Sequence, residues 1–387
     1  MSFVEEFAKG KEYERDDGGC AVTQTRTVKV AVVGASGYTG GELLRLIVGH
    51  PKMTLAVVTS EKSAGSPVSA VFPHLASLVP FSFESLAPEA IATRAEAVFF
   101  SLPHTKSFAP VAACLTAGKP VVDLSADYRL KNPHSYETWY QTTHPYPKLL
   151  EEAVYGLPEL HRAKIRTARL VASPGCYPTA AILQLAPLVA KGLVHQDAII
   201  IDAKSGISGA GRSPALPYHF PEAHDSVEAY KIGQHRHIPE IEQELSALAS
   251  SGTGRTTGSS GRNDAATVKV VFTPHLVPMN RGILSTAYCR LQTTVGVEEL
   301  RAIYRDYYKG ERFVRLQEGD ISANPRHVRG SNFCDLAVFA NARAGWVITV
   351  AALDNLVKGA AGQALQAMNL MLGFPEEMGL TAPGAYP

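Results

Sequence analysis

The segment "VKVAVVGASGYTGGELLRLIVGHP" (residues 28–51) is the feature that most constrains how this chain can fold. A short apolar, β-branched run ends at a glycine-rich turn, and aliphatic residues then follow at helical spacing. The runs "TLAVVTS", "AEAVFFSLP", "KPVVDLS" and "ARLVASPG" come next and alternate with helical stretches such as 106–118. Strands that alternate with helices in this way predict an α/β fold with a parallel sheet covered on both faces.

The remainder of the chain indicates a second domain of a different kind. Its apolar runs are longer ("AIIIDAKSGIS", "VKVVFTPHLVP", "GILSTAYCRLQT", "FCDLAVFANARAGWVITVAA") and are interleaved with helices such as "VEELRAIYRDYYK". This pattern favours a mixed or antiparallel sheet in an α+β domain. The Gly/Ser/Thr-rich stretch 250–264 predicts a flexible loop, and residues 1–27 a mobile N-terminal extension. A last helix from Asp354 to Gly373 has one apolar face and is expected to pack on the first domain.

Composition excludes several classes of protein. At 387 residues and 45% hydrophobic content, the chain can form two domains of ordinary size. Lys and Arg number 37 and Asp and Glu 36, so nucleic acids and membrane surfaces are not expected partners. No apolar run reaches the roughly 18 residues of a membrane span, and the acidic N-terminus does not resemble a secretory signal. Five widely spaced cysteines without a C-x-x-C pair predict a reducing compartment and argue against a disulfide framework or a zinc site.

The motif "GASGYTG" predicts a nucleotide site. Gly34, Gly37 and Gly40 lie between a strand and a helix, where glycines let the backbone approach a pyrophosphate that the helix amides bind. The spacing is G-x-x-G-x-x-G rather than G-x-G-x-x-G, so a glycine-rich turn without a ligand is the alternative. Expected cofactor contacts in this loop are Gly34, Ser36, Gly37, Tyr38, Thr39 and Gly40.

The end of the second strand distinguishes the two nicotinamide cofactors. An acidic residue there binds the ribose 2′-hydroxyl of NAD, whereas a neutral or basic site admits the 2′-phosphate of NADP. Thr59 and Ser60 occupy this place and Lys62 follows closely, which favours NADP(H). Glu61 is one position away and would favour NAD if the strand ended later.

Cys176 lies between a Pro174-Gly175 turn and the expected start of a helix, in "SPGCYPTAAILQLAPLV". A buried cysteine acting as a small apolar residue is one interpretation. Pro178, however, suits the first turn of a helix, and the amide dipoles there favour a thiolate. Because Cys176 follows what reads as the fifth strand, it is also expected at the carboxyl edge of the sheet, where ligands bind. The sequence therefore predicts a cysteine nucleophile.

The segment "GQHRHIPEIEQEL" offers groups that can transfer protons. His237 and Glu240 are three residues apart on a helix, so the carboxylate is expected to orient the imidazole as it acts as acid and base. The pair His235 and His237 can also be interpreted as metal ligands, although no further ligand lies nearby, or as ordinary surface residues.

Three further segments are candidates for binding an anion. The segment "KSGISGAGRSP" combines free glycine amides with the hydroxyls of Ser205 and Ser208 and the guanidinium of Arg212, unless it is merely a flexible loop. "LSADYRL" adds Arg129 and "RGSNF" adds Asn332, each of which is ambiguous alone.

Taken in order, these motifs resemble one enzyme family. "GASGYTGGELLRLI", "SLPH", "DLSADYRL", "YGLPEL", "SPGCYPTA", "DAKSGISGAGR", "HRHIPEIEQ", "FTPHLVPMNRG", "VRGSNFCD" and "DNLVKGAAGQALQ" are similar to segments of the N-acetyl-gamma-glutamyl-phosphate reductases of arginine biosynthesis. The resemblance runs from about residue 28 to the C-terminus, and loop 250–264 falls between motifs as a local insertion.

The resemblance implies both an architecture and an assembly. A Rossmann-type doubly wound domain (28–175 with 351–387) would bind NADP(H), and an α+β mixed-sheet domain (176–350) would carry catalysis and oligomerisation, giving a homodimer or homotetramer. The family occurs in bacterial cytoplasm and in plastids, so the plastid stroma is an alternative location. Contact with the preceding kinase of the pathway stays open.

The resemblance also implies a reaction. The Cys176 thiolate would attack N-acetyl-glutamyl 5-phosphate, phosphate would leave, and hydride from NADPH would reduce the thioester to the semialdehyde, with His237 or His235 as acid and base. The substrate pocket would be formed by Arg129, Ser205, Gly206, Arg212 and Asn332. Further cofactor contacts would be Ser60, Lys62, Pro103, His104, Ser208 and Gly209.

Three other functions compete with this one. Aspartate-semialdehyde dehydrogenase has similar architecture and chemistry, although "HRHIPEIEQ" and "SGISGAGR" favour the acetylglutamyl enzyme. A cysteine hydrolase would use Cys176 and His237 but would leave the glycine loop without a purpose. A nucleotide-sensing module that regulates a partner would bind the cofactor independently of Cys176 and turn nothing over.

Overall fold

The computed structural model describes residues 27–252 and 267–386. The N-terminal extension expected over residues 1–27 lies, except for Thr27, outside the described residues, as do residues 253–264 of the expected loop. Residues 250–252, which the composition assigned to that loop, instead form the end of the helix Ile238–Gly252.

The first domain contains a six-stranded sheet in which every pairing is parallel. Its strands in chain order are β1 Val28–Val33, β2 Met53–Val58, β3 Ala97–Phe100, β4 Val121–Asp123, β5 Val154–Tyr155 and β6 Leu170–Ala172. The spatial order is β2-β1-β3-β4-β6-β5, which confirms the doubly wound α/β prediction. The two-residue strand β5 is too short to be recognised by periodicity, so the strand before Cys176 is the sixth and not the fifth.

Helices cover both faces of this sheet. They are α1 Tyr38–Val48, α2 Val68–Val71, α3 Pro88–Arg94, α4 Phe108–Thr116, α5 Pro133–Tyr140, α6 Pro147–Glu152 and α7 Pro158–Ile165. Alternate residues of β1 enter different cores, because successive side chains of a strand point to opposite faces. Val30 and Val32 belong to the core that contains Leu43 of α1, whereas Ala31 belongs to the core that contains Val111 of α4.

The second domain contains a seven-stranded mixed sheet, as the sequence predicts. Its strands are β7 Val194–Gly206, β8 Glu228–Ala229, β9 Val270–Val277, β10 Ile283–Leu291, β11 Val314–Leu316, β12 Cys334–Asn341 and β13 Trp346–Leu353. They lie in the order β11-β12-β13-β10-β7-β9-β8. The pairs β7/β9 and β11/β12 are parallel, and the other pairs are antiparallel.

Three helices cover the inner face of the mixed sheet: α8 Cys176–Ala190, α10 Ile238–Gly252 and α11 Val297–Tyr307, with the short α9 Phe220–Ala223 between α8 and α10 in the chain. Leu185 of α8, Ile241 of α10 and Leu300 of α11 are each fully buried in this core. Burial of each such side chain stabilises the fold by about 1.5–3 kcal/mol.

The outer face of the mixed sheet carries a row of apolar side chains. Phe339, Ile348, Tyr288, Ile200 and Val271 are successive partners across β12, β13, β10, β7 and β9. The last three are 38%, 39% and 62% exposed. We call these five residues the outer row.

The C-terminal segment returns to the first domain, as predicted. Asp354 caps it by accepting the amides of Leu356 (2.8 Å) and Val357 (3.3 Å). A π-helical turn, Val357–Ala361, leads into α12 Gly362–Met371, which packs in the core beside β1 and α1. Strand β13 of the mixed sheet continues to Leu353, and the domain boundary at residue 351 stays a prediction.

Candidate functional site

Cys176 lies where a parallel strand meets a helix. Strand β6 ends at Ala172, residues 173–175 turn, and Cys176 is the first residue of α8 with Gly175 as N-cap. Solvent partly reaches Cys176, whereas Cys114, Cys289 and Cys334 are buried, so among the cysteines that the structure describes it is the accessible one.

Burial opposes ionisation of the Cys176 thiol. Desolvation raises the pKa of Cys176 to about 11, although the amides of Tyr177 and Cys176 and the charge of Arg129 lower it. The helix terminus therefore acts in the direction that the sequence predicts, but desolvation outweighs it. A role as nucleophile would therefore require that another group remove the Cys176 proton.

We expect iodoacetamide to alkylate Cys176 slowly at pH 7, with a rate that rises about tenfold per pH unit up to about pH 10, because only the thiolate reacts. The measurement is the rate of adduct formation by mass spectrometry across pH, with Cys176→Ser to identify the signal of the other cysteines. A rate that levels off below pH 8 would show that the site stabilises the thiolate.

His237 lies against the turn that precedes Cys176. A Cβ atom on Gly175 would be 2.5 Å from His237 Nε2, so the imidazole touches the backbone of residue 175. Nδ1 of the same ring is buried without a hydrogen-bond partner among the described residues. Desolvation, followed by the charges of His235 and Arg129, holds the pKa of His237 well below its ordinary value. Burial therefore favours the neutral ring, which is a weak base with one nitrogen not engaged in a hydrogen bond.

His235 holds His237 in position and is less exposed to solvent than His237 is. Its Nδ1 accepts the backbone amide of His237 (3.2 Å), and its ring packs edge-on against Tyr177, Tyr230 and Phe272. Desolvation lowers the pKa of His235 to about 4. Since Nδ1 is held as an acceptor, His235 stays neutral and fixes the position of His237.

Glu240 does not orient His237, contrary to the expectation from their spacing. Its Oε1 accepts the amide of Gly175 and the hydroxyl of Tyr155, both at 2.8 Å, and its Oε2 lies 3.4 Å from Arg129 Nη1. The side chain thus reaches under the Cys176 turn instead of along its own helix. Tyr155 is a contact that periodicity could not reveal.

Arg129 completes this support. Its Nε donates to the carbonyl of Ser173 (2.8 Å) and its Nη2 to that of Leu124 (2.9 Å). Arg129 and Glu240 are 6% and 1% exposed. We call Arg129, Tyr155 and Glu240 the loop clamp, because together they bind both ends of the turn at residues 173–175. The guanidinium has protein partners at all three nitrogens, and its role as a substrate contact stays a prediction.

We expect Gly175→Ala to lower kcat by at least about tenfold, because the new methyl group would displace the His237 ring while its backbone angles (φ −68°, ψ 154°) remain open to alanine. Gly296→Ala is the matched control. Gly296 caps α11 with nearly the same angles (φ −71°, ψ 154°) and has no atom within 4 Å of the added carbon. Steady-state kinetics of both variants test this, and equal kcat values would contradict it.

The first domain contributes a second group of side chains near His237, since the charge of His104 acts on that ring. We call the region formed by this group, or second wall, and the residues around Cys176 the cleft. His104 Nδ1 accepts the amide of Ala126 (3.0 Å), so its Nε2 carries the proton, and its ring packs on Tyr140 at 5.7 Å. The guanidinium of Arg236 lies 5.3 Å from the centre of the same Tyr140 ring. Pro103 and His104 are exposed at this wall. Sequence reasoning passed over Arg236, which stands between His235 and His237 in the chain and brings a positive charge to this wall.

The glycine loop at β1 has the shape of a dinucleotide cradle. Gly34 has φ +80°, and a Cβ there would lie 2.7 Å from the carbonyl oxygen of Ser101, so only glycine fits. A Cβ on Gly40 would lie 2.5 Å from Ala35, which requires close packing of α1 on the loop. Gly37 has open space around it, and no side chain caps α1 there. The first amides of α1, including those of Tyr38 and Thr39, are thus available to a pyrophosphate.

The end of β2 joins this cradle through hydroxyl groups. The Oγ atoms of Ser36 and Ser60 are 2.7 Å apart, and Thr59 Oγ1 accepts the amide of Gly34 (3.3 Å). Strand β2 ends at Val58, so Thr59 and Ser60 lie at the position that contacts the cofactor ribose in folds of this type. Glu61 and Lys62 are exposed beyond them.

Backbone hydrogen bonds of the segment 205–211 use several of the amides that were expected to be free, including those of Gly206 and Gly211. The amides of Gly206, Ile207 and Ser208 donate to the carbonyls of residues 282, 279 and 280. Ser205 is buried and donates to the carbonyl of Gly206, while Ser208 Oγ accepts from Asn355. A Cβ on Gly209 would lie 2.7 Å from Ser205 Oγ. Their roles in binding cofactor or substrate stay predictions.

Two residues expected in the substrate pocket lie elsewhere. Arg212 extends to the glycine loop, where Nη1 donates to the carbonyl of Ser36 (3.3 Å). Asn332 is 1% exposed, and its Nδ2 donates to Gln366 in a buried network with Lys358. The structure therefore does not bring Asn332 to the cleft.

The C-terminal segment contributes a residue that sequence reasoning missed. A Cβ on Gly359 would lie 2.8 Å from Cys176 Cβ, so the π-helical turn packs directly on Cys176. A glycine inside an apolar helical pattern is a recognisable sign of close backbone approach. Over residues 27–252 and 267–386 there is no cluster of three or more potential metal ligands, and no helix there is long and apolar enough to cross a bilayer.

Two family models match the chain in order. The semialdehyde dehydrogenase NAD binding domain matches residues 29–168, and the semialdehyde dehydrogenase dimerisation domain matches residues 176–355. The chain is also similar in fold to aspartate semialdehyde dehydrogenase with NADP from Candida albicans (TM-score 0.63, 16% identity, covering 89% of this chain and 98% of that one). Aspartate semialdehyde dehydrogenase II from Vibrio cholerae is similar to the same degree (TM-score 0.63, 16% identity, covering 90% and 99%).

Sequence relatives are much nearer. N-acetyl-gamma-glutamyl-phosphate reductases of Geobacter metallireducens and Geotalea daltonii are each 51% identical over 361 residues, which cover 93% of this chain and all of the relative. The enzyme of that name from Pelotomaculum thermopropionicum is 46% identical over 93% of this chain and 99% of its own. This chain belongs to the N-acetyl-gamma-glutamyl-phosphate reductase family.

Proposed function

We propose that the protein reduces N-acetyl-glutamyl 5-phosphate to N-acetyl-glutamate 5-semialdehyde and phosphate with NADPH. The observation that carries this proposal is the position of Cys176, an accessible thiol at the start of α8 with His237 against the preceding glycine. Membership of the family supports the choice of substrate.

Cys176 and His237 have different roles in the proposed reaction. Because thiol and imidazole are both neutral, His237 accepts the Cys176 proton as sulfur attacks the acyl carbon. The C–O bond to phosphate breaks and a thioester forms. NADPH, when bound, supplies the hydride that reduces this thioester. His237 then returns its proton as the C–S bond breaks and the aldehyde leaves.

The cationic groups of the cleft suit an anionic substrate. Arg236 and Lys231 are exposed, and their charges oppose protonation of both His104 and His235. Arg236 has no carboxylate partner among the described residues, and a guanidinium binds phosphate or carboxylate through two hydrogen bonds. We assign to Arg236 the role of binding the acyl phosphate or the carboxylate of the substrate.

The test is phosphate-dependent reduction of NADP⁺ by the purified protein, with N-acetyl-glutamate semialdehyde and aspartate semialdehyde compared at equal concentration. We expect turnover with the acetylated aldehyde only. Turnover with aspartate semialdehyde alone would support the proposed reaction class and reject the acetylated compound as the substrate. Absence of turnover with both, together with cofactor binding, would favour a nucleotide-sensing module.

We further propose that two copies of the chain associate through the outer row, which lies within the dimerisation domain match. Large contiguous apolar surface on one face of a sheet is typical of an interface. A homodimer or homotetramer, contact with the preceding kinase of the pathway and a cytoplasmic location stay predictions.

We expect Ile200→Glu to convert the oligomer to a monomer, because it places a charge within the outer row, between Tyr288 and Val271. Leu78→Glu is the matched control, since Leu78 is 58% exposed on the first domain. Light scattering after size exclusion measures the mass. An unchanged mass in Ile200→Glu, or a monomeric wild type, would contradict the interface.

A further inference from the structure

Arg212 belongs to the second domain by sequence but contacts the first. It follows the 3₁₀ turn Ile207–Ala210 and Gly211, whose φ is +86°. From there its Nη1 reaches the carbonyl of Ser36 (3.3 Å), and the guanidinium carbon lies 5.6 Å from the centre of the Phe72 ring. Phe72 in turn packs against Gly41 of α1. The side chain is thus held beside the glycine loop, away from Cys176.

The residues next to Arg212 form the part of the cofactor site that contacts the ribose of the nucleotide. Ser36 joins the two elements, because its carbonyl accepts from Arg212 and its hydroxyl lies 2.7 Å from that of Ser60. Ser60 is only 4% exposed and also accepts the amide of Ser63 (3.3 Å), so its position is fixed. The ribose 2′ position of a dinucleotide lies at the end of the second strand. Two hydroxyls and a guanidinium therefore meet there.

The charge of Arg212 has not been neutralised by the protein. Arg129, Arg162 and Arg281 are each paired with carboxylates. Arg212 has no carboxylate partner within the described part of the chain, and it is exposed. Its guanidinium makes one hydrogen bond, to the carbonyl of Ser36, so its other N–H groups can donate to an anion. A phosphate monoester accepts two of them side by side.

We propose that Arg212 binds the 2′-phosphate of NADPH, together with the hydroxyls of Ser36 and Ser60, and so determines the preference for NADPH over NADH. This inference rests on the proposed use of NADPH. It moves Arg212 from the substrate pocket to the cofactor site and makes the second domain a partner in choosing the cofactor.

The test is fluorescence titration of wild type and Arg212→Gln with NADPH and NADH, and competition by 2′,5′-ADP, all without substrate. We expect the Kd for NADPH and for 2′,5′-ADP to rise at least about tenfold in the variant, while the Kd for NADH changes less than twofold. Arg236→Gln is the matched variant, because it removes a guanidinium from the other end of the cleft. It should raise the KM for the acyl phosphate and leave the NADPH to NADH ratio unchanged.

Three outcomes would overturn the inference. One is an equal loss of affinity for NADPH and NADH in Arg212→Gln, which would indicate a damaged loop. Another is an unchanged Kd with a raised KM for the acyl phosphate, which would return Arg212 to the substrate pocket. The last is a wild type that binds NADH as tightly as NADPH. Selective loss of NADPH affinity in a protein without acetylglutamyl turnover would support the inference and reject only the proposed substrate.

Discussion

Cys176→Ser is expected to lower turnover by more than about 10³-fold while leaving the affinity for NADPH within twofold of wild type. A serine hydroxyl is a far weaker nucleophile than a thiol in a site that provides no stronger base than a desolvated imidazole. The cradle around Gly34 and Gly37 does not include Cys176, so cofactor binding has no reason to change.

Two measurements check this expectation. Steady-state assay with the acetylated aldehyde gives kcat, and fluorescence titration gives the Kd for NADPH. A single-turnover experiment with wild type should also trap an acyl adduct on Cys176 that mass spectrometry detects after acid quench. Retained kcat in the serine variant, or an adduct on another cysteine, would reject Cys176 as the nucleophile.

Glu240→Ala is expected to lower the free energy of unfolding by about 3–5 kcal/mol, because it leaves the Arg129 charge buried without a partner. The same change removes the acceptor of the Gly175 amide and of the Tyr155 hydroxyl. The turn that presents Cys176 then loses one of its two anchors, so kcat should fall together with stability.

Urea unfolding measures the change in stability, and two variants make the test specific. Glu299→Ala removes an exposed carboxylate of α11 and should change stability by less than about 0.5 kcal/mol. Glu240→Gln keeps an acceptor for Gly175 but loses the charge, so it should fall between wild type and alanine in both stability and kcat. A loss below 1 kcal/mol in Glu240→Ala would show that the loop clamp does not hold the turn.

The sequence was sufficient for the parts of this protein whose geometry is local. The order strand, glycine loop and helix placed Gly34, Gly37 and Gly40 correctly, since turn chemistry and helix termini depend on neighbours in the chain. The same holds for Cys176 at the start of α8 and for Asp354 at the start of the C-terminal helix.

Contacts between distant segments could not be read in this way. The spacing of His237 and Glu240 predicts that they share a helix face, but it cannot show that Gly175 and Tyr155 offer better partners. Arg212 and Asn332 are assigned to one pocket by resemblance, yet tertiary packing takes one to the glycine loop and the other into a buried network. The sign of the Cys176 pKa shift likewise depends on desolvation by residues that the sequence does not place.

The contact between Gly359 and Cys176 has a consequence for the synthesis of the protein. Cys176 is translated long before the glycine that packs on it, and that glycine belongs to a segment anchored in the core of the first domain. A nascent chain therefore holds Cys176 in an unfinished site until its last helix has left the ribosome and docked. Chains that stop early would lack this cover, so the finished site is expected only in chains that extend through the last helix.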